Sequence, residues 1–159
     1  MLQNPLMRYP VKLSLSLLIL GGGTIQPARA SLGGDAASVA VDAAELHSVA
    51  RATPLQRYDI EEITSDSGIR VREFLNRNGI VFAVTWSGPV VPNLRTLLGS
   101  SFESYIKGLG ALKHLGTQRS LRLASGDLVV ESGGHMRAYG GRAYLPSLIP
   151  ADASPADLR

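Results

Sequence analysis

The segment GIVFAVTW, residues 79–86, decides the fold. After Gly79 it is almost entirely apolar, without the alternation of a strand that has one wet face, so it predicts a central strand buried on both faces. Asn78-Gly79 directly before it is a strong signal for a hairpin turn with positive φ. Gly88-Pro89 ends the strand. We therefore expect an antiparallel sheet arranged around residues 80–86.

Two further strands are predicted before the central one. Residues 57–64 contain spaced apolar side chains, and the turn residues 65–68 follow them. Residues 69–75 alternate, with Ile69, Val71 and Leu75 on one side and two arginines on the other. Together with residues 80–86 these segments predict a three-strand meander.

A helix and a second three-strand meander are predicted after the central strand. Apolar residues in the segment 93–107 fall on one helical stripe, and Pro92 suits a helix entry. The strand candidates that follow are residues 118–123, 128–131 and 135–145. Gly126-Asp127 and Gly133-Gly134 are the predicted turns, and Gly140-Gly141 is expected to bulge or break the last strand.

The remaining segments complete the predicted α+β domain. Residues 36–50 place apolar side chains on one helical face, and residues 51–56 are expected to form a break. Residues 147–159 are rich in proline and poor in large apolar residues, so they predict a flexible tail. The expected fold is one small domain, residues 31–146, with an antiparallel sheet of two three-strand meanders packed by two helices.

The first thirty residues have the parts of a secretory signal peptide. Arg8 and Lys12 form a positive region, residues 13–25 an apolar run, and Ala28-Arg29-Ala30 a cleavage site with small residues at positions −3 and −1. A transmembrane anchor would need about 20 apolar residues, and three glycines interrupt this shorter run. We predict cleavage after Ala30, a periplasmic or secreted protein, and no stable membrane insertion afterwards. Starts at Met1 and at Met7 fit the same leader.

The charge of the chain does not favour nucleic acid. The formal charge of the whole sequence is +3, but three of its bases lie in the leader and none of its 13 acids does, so the remainder is close to neutral. Binding to nucleic acid requires a large basic patch. The chain has no cysteine, which excludes thiol catalysis and a Cys-based zinc site.

The sequence resembles the exported bacterial family catalogued as domain of unknown function 2844. The residues that carry the resemblance are VREF at 71–74, GIVFAVTWSGP at 79–89, NLRTLLG at 93–99, DLVV at 127–130, GGHMRAY at 133–139, and Pro146. The family pattern usually has aspartate where Asn93 stands, and both residues cap helices well. The resemblance implies export and implies no activity, so no catalytic residue is carried over from it.

No catalytic, metal or cofactor motif is present. His47, His114 and His135 do not have the spacing of metal ligands. The adjacent His135 and Met136 suggest copper, but a copper site needs three or four converging ligands. We therefore predict no metal and no cofactor. No Gly-x-Ser-x-Gly elbow occurs. The glutamates predicted on strands, Glu61, Glu62, Glu73 and Glu131, leave open a carboxylate pair for glycoside cleavage, but charges on strands more often form a solvated face.

Glu73 is the unusual residue of the alternating strand. It shares a face with Val71 and Leu75, so it should point inward, where a carboxylate needs a cation, other donors or a proton. Arg137 and Arg142 are the candidate partners. A buried or rim ion pair is the favoured interpretation, and an acid belonging to a functional site is the alternative.

The last hairpin, residues 133–142, is the predicted binding surface. Its four glycines let a partner approach the backbone, and His135, Arg137 and Tyr139 are expected on one strand face, with Arg142 nearby. Arginine and tyrosine often dominate interfaces. The alternative is that the glycines only shape the turn while Arg137 pairs with Glu73. We expect a non-enzymatic envelope module that binds a partner protein or small ligand; the alternative is a hydrolase of envelope or extracellular polymers.

Overall fold

The apolar segment forms the central strand of the sheet. The computed structural model describes residues 32–35, 39, 51–54, 57–112 and 120–159. Its strands are β1 (Arg51–Pro54), β2 (Asp59–Thr64), β3 (Arg70–Leu75), β4 (Val81–Gly88), β5 (Ser120–Ser125), β6 (Leu128–His135) and β7 (Ala138–Tyr144). Every residue of β4 from Val81 to Trp86 is buried, as predicted for a strand covered on both faces.

The described strands form one antiparallel seven-stranded sheet in the order β1-β2-β3-β4-β7-β6-β5. A four-strand meander, β1 to β4, is therefore joined to a three-strand meander, β5 to β7, by pairing between β4 and β7. The small antiparallel domain is confirmed. The predicted pair of three-strand meanders with two helices is not confirmed, and the described part of the fold is mostly β.

Residues 51–54 were expected to form a break, and this prediction is wrong. They form β1, which pairs with β2 from Arg51 opposite Glu62 to Pro54 opposite Asp59. All four residues are exposed, so the strand has no apolar periodicity by which the sequence would reveal it. Main-chain pairing at the edge of the sheet defines it, and proline is tolerated at such an edge.

The helical segment at residues 94–111 covers one side of the sheet, and its start follows the prediction. Asn93 caps α1 (Leu94–Leu98), its side chain accepting a hydrogen bond from the Arg95 amide. Gly99 takes a φ of 48° and ends α1; a 3-10 turn (Gly99–Ser101) then leads into α2 (Phe102–Ala111). The helix predicted at 36–50 lies outside the described residues except for Val39, which is helical and buried.

The last hairpin differs from the prediction at its glycines. Gly133 and Gly134 lie within β6, and the turn is Met136-Arg137, with Arg137 at a φ of 63°. Gly140 and Gly141 pair in β7 without a bulge, so that prediction is wrong as well. The irregularity of the sheet falls instead between β3 and β4, where the register shifts at Phe74-Leu75.

The sheet has an apolar cluster on each side. Val71, Val84, Trp86 and Ala143 pack with the helical residues Leu97 and Leu98 on one side. On the other side a smaller cluster comprises Phe74, Phe82, Ala83, Tyr144 and Leu158. Leu158 belongs to the C-terminal segment, which therefore covers part of the sheet face opposite the helical segment.

Candidate ligand-binding site

The two faces of the sheet differ because successive strand residues point to opposite sides. Val71 and Trp86 point to the side covered by the helical segment, which we call the helix face. Arg72 and Thr85, each one residue away in the chain, are register partners that point to the other side, which we call the open face. The C-terminal segment covers only part of the open face.

A pocket of about 580 Å³ lies on the open face, and we call it the open-face pocket. Its volume falls within the range of about 300–1,000 Å³ typical of small-molecule sites. Five strands and the C-terminal segment contribute to it. The charged residues that line it are Arg70, Arg72, Arg122, Glu131, Arg142 and Arg159.

Two glutamates hold most of these arginines in place. Arg72 donates from Nε to Glu62 Oε2 at 2.7 Å. Glu131 Oε2 accepts from Arg142 Nε at 2.8 Å and lies 2.6 Å from Arg142 Nη2, while Glu131 Oε1 lies 3.4 Å from Arg122 Nη1. Counted by side chains, five arginines against Glu62 and Glu131 leave an excess of three positive charges around the pocket.

Small residues form the hollow between the charged side chains. Ser87, Gly140, Gly133 and Ser120 stand opposite one another on β4, β7, β6 and β5. Because none of them carries a bulky side chain, the surface is recessed there. A Cβ on Gly140 would find only Trp86 O, at 3.5 Å, so this floor is open above the strand.

The segment predicted to be a flexible tail forms one wall of the pocket. Leu158 is 4% exposed. Arg142 Nη1 donates to Pro155 O at 2.6 Å, and Arg72 Nη1 donates to Arg159 O at 2.8 Å. Further along, Asp127 in the β5–β6 turn accepts hydrogen bonds from the amide and hydroxyl of Ser147. The contacts position this segment beside the arginines.

The structure does not bring the predicted site residues together. Arg142 lines the open-face pocket. His135 pairs with Ala138 at the end of the hairpin and is exposed, and Arg137 lies in the exposed turn. Tyr139 is opposite Gly134, one residue along from His135, and so points to the other face of the sheet.

Glu73 is buried on the helix face as predicted, with 1% of its surface exposed. The partners proposed for it are wrong, because Arg142 pairs with Glu131 on the open face and Arg137 lies in the exposed turn. Glu61 on β2 is its cross-strand neighbour. Burial raises the pKa of the Glu61 carboxyl above its ordinary value, and the negative charge of Asp59 raises it further.

Sequence reasoning missed Arg70, Arg72 and Arg122 as members of one site. The alternation of residues 69–75 indicates that Arg70 and Arg72 share a face. Nothing local to that strand shows that Arg122, some fifty residues later, stands on the same face of the same sheet. That alignment comes from the register of five strands.

The described residues hold no metal-binding cluster of histidines and acids and no helix that could cross a membrane. No group of three or more His, Asp or Glu side chains in the described ranges is arranged to hold a metal ion. His47 and His114 lie outside those ranges. Likewise, none of the described helices is both long enough and apolar enough to cross a membrane.

The fold and the pocket together define a small β-sheet protein with a helical segment on one face and an arginine-lined hollow on the other. The chain belongs to the family described as "Protein of unknown function (DUF2844)", whose model matches residues 28–158. No curated protein and no solved structure matches the chain.

Proposed function

We propose that the protein is an exported, non-enzymatic module that binds a small anionic ligand in the open-face pocket. The observation that carries the proposal is the convergence of five arginines on a hollow of about 580 Å³. Positive charge in a recess of the surface attracts anions and favours their binding. The leader-like composition of residues 1–30 supports export.

The carboxylates of the open face favour binding over hydrolysis, and the adjacent pair Glu61 and Glu73 lies on the helix face with Glu73 buried away from any substrate. Glu62 and Glu131 are on the open face, and four strand spacings separate β2 from β6, about 19 Å. Glycosidases hold their two carboxyl groups roughly 5–9.5 Å apart. Each of these glutamates is also engaged by arginine, so its carboxylate oxygens already have partners.

A ligand screen tests the proposal. The protein, expressed from its own leader and purified, is screened by thermal shift against small carboxylates, phosphates, sugars and amino acids, and hits are measured by calorimetry. Binding of at least one anionic compound, weakened by added salt, is the expected result. Finding no ligand in any class, or turnover of a bound polymer fragment, would contradict a non-enzymatic binding role.

Matched arginine variants locate the ligand on the protein. Arg122 lines the pocket and Arg95 lies on the helical segment; both are largely exposed, and each faces one glutamate. Arg122→Gln should weaken binding while Arg95→Gln leaves it unchanged. Tyr139→Ala tests the hairpin surface predicted from the sequence. Loss of binding in Tyr139→Ala alone would place the ligand at the hairpin and not in the pocket.

A further inference from the structure

One row of residues crosses the whole open face with alternating charge. Residues directly opposite each other on paired strands share a face, and here the register aligns one residue from every described strand. We call these residues the charged row. In spatial order from β1 to β5 they are Arg51, Glu62, Arg72, Thr85, Arg142, Glu131 and Arg122.

The alternation fails at one position, Thr85 on the central strand. Arg72, on one side of Thr85, forms an ion pair with Glu62 on the next strand away from Thr85. Arg142, on the other side, does the same with Glu131. Opposite charges on neighbouring strands stabilise each other. Thr85 carries no charge, so two guanidinium groups flank a position where the pattern would place an anion.

The Nη1 groups of these two arginines already donate to main-chain oxygen atoms of the C-terminal segment. Arg72 Nη1 donates to Arg159 O, and Arg142 Nη1 donates to Pro155 O. A guanidinium has five N–H donors. Among the described residues Arg72 uses Nε and Nη1, and no hydrogen bond from its Nη2 group is seen. Arg142 engages Glu131 with Nε and Nη2 and Pro155 O with Nη1, which leaves one further N–H on each of its Nη groups. The space beside Thr85 therefore suits further oxygen acceptors.

We propose that the open-face pocket binds an oxyanion, the carboxylate or phosphate of a small organic molecule, over Thr85 between Arg72 and Arg142. This inference rests on the proposed function and specifies its ligand. Two strand spacings, about 9.6 Å, separate the Cα atoms of the two arginines, which leaves room for one oxyanion between their side chains. Charge-assisted hydrogen bonds from arginine to such groups are short and strong.

The neighbouring row accommodates the rest of the molecule. Arg70, Ser87, Gly140, Gly133 and Ser120 are aligned beside the charged row on the pocket side. Two hydroxyl groups and two glycines give a low floor with polar edges, and Leu158 supplies an apolar wall. The bound molecule therefore has an acidic group at one end and a small body that lies over the glycines.

Inorganic phosphate and succinate are the probes for the two sources of the oxyanion, and the diamide of succinate is the uncharged control. Calorimetry with the full protein should detect at least one of the two anions and not the diamide. Equal binding of succinate and its diamide would overturn the inference, as would failure of both anions to bind. If only neutral compounds bound in the wider screen, the protein would still bind a ligand, but the inference that the ligand carries an oxyanion would be wrong.

Filling the gap in the row is the decisive test. Thr85→Glu places a carboxylate between Arg72 and Arg142, so it should weaken binding of the anionic probe by at least tenfold. Thr85→Gln has nearly the same size without the charge and should retain more of the binding. Equal loss in the two variants would show that bulk, and not charge, controls the position, and would overturn the inference.

A second pair of variants covers failure of the Thr85 variants to fold. Arg72→Gln should weaken binding of the same probe at least tenfold, because it removes one of the two cations beside Thr85. Arg95→Gln, on the helical segment, should bind as the unaltered protein does. Unchanged affinity in Arg72→Gln would overturn the assignment of the oxyanion to this position.

Discussion

Replacing Gly141 by alanine tests how β4 and β7 pack. A Cβ atom on Gly141 would lie 2.3 Å from Cζ2 and 2.6 Å from Cε2 of Trp86, and 2.8 Å from the main-chain oxygen of Glu131. Optimal contacts between carbon atoms are about 3.5–4.0 Å. The ring or the strand must therefore move. Trp86 is 3% exposed and part of the helix-face cluster, so its ring has little space into which to shift.

The expected cost is about 3 kcal/mol. Overpacking a filled core costs roughly 1–3 kcal/mol, and here both a buried ring and a main-chain oxygen are approached too closely, which places the change at the upper end. For a domain of this size, about 3 kcal/mol corresponds to a fall in Tm of roughly 10 °C.

Gly140→Ala is the matched control. Its Cβ would meet only Trp86 O, at 3.5 Å, which is ordinary van der Waals contact. Gly140 is also the neighbour of Gly141 in the same strand, so the two variants differ in the face that receives the methyl group. We expect the stability of Gly140→Ala to stay within about 0.5 kcal/mol of the unaltered protein.

Urea unfolding followed by circular dichroism and by tryptophan fluorescence measures both variants. Trp86 is the single tryptophan of the sequence, so its emission reports directly on the ring beside Gly141. Gly141→Ala should lower the unfolding midpoint and shift the emission of the folded protein. If its midpoint and emission match those of Gly140→Ala, the ring does not lie over Gly141 and the packing of β4 on β7 described above is wrong.

Four further predictions concern separate parts of the chain. Arg137→Gly should raise stability by up to about 1 kcal/mol in a urea melt, because residue 137 has positive φ; a loss would contradict that turn geometry. Glu73→Ala should cost about 3 kcal/mol, because truncating this fully buried side chain leaves a cavity, and Glu73→Gln should cost less because it keeps the volume; a cost below about 0.5 kcal/mol for alanine would place the side chain in solvent. The pKa of Glu61 is raised, so the folded state binds the Glu61 proton more tightly than the unfolded state does, and stability falls as pH rises above the ordinary value of 4.5. Glu61→Gln should therefore be more stable than the unaltered protein at pH 7. The difference should vanish in melts at acid pH. Expressed in a Gram-negative host, the protein should be recovered outside the cytoplasm with Ser31 at its N-terminus, and an intact mass that includes the leader would refute the predicted cleavage.

Local patterns predicted several elements correctly. The apolar segment 80–86 indicated the central strand, because a strand covered on both faces needs no alternation. Asn93 indicated the start of the helical segment, since its side chain caps free amides wherever the helix is placed. The turn at Asn78-Gly79 followed from a glycine that adopts a φ of 72°.

Local patterns failed where long-range pairing decides the structure. β1 has four exposed residues and is defined only by its hydrogen bonds to β2. Gly133-Gly134 resembles a turn, yet the pairing of β6 with β7 extends to His135 and Ala138. Gly141 resembles a strand breaker, and its small size instead admits the Trp86 ring from the neighbouring strand.

The sequence by itself determined the position of six of the seven described strands, the cap of the helical segment and the inward position of Glu73, because each depends on residues close together in the chain. Only the tertiary structure decided that Arg72, Thr85 and Arg142 stand side by side. Their alignment depends on the register between β4 and β7, which are more than fifty residues apart, and a shift of one residue would turn every side chain of a strand to the other face. The pairing that packs the helix-face cluster therefore also assembles the open-face pocket.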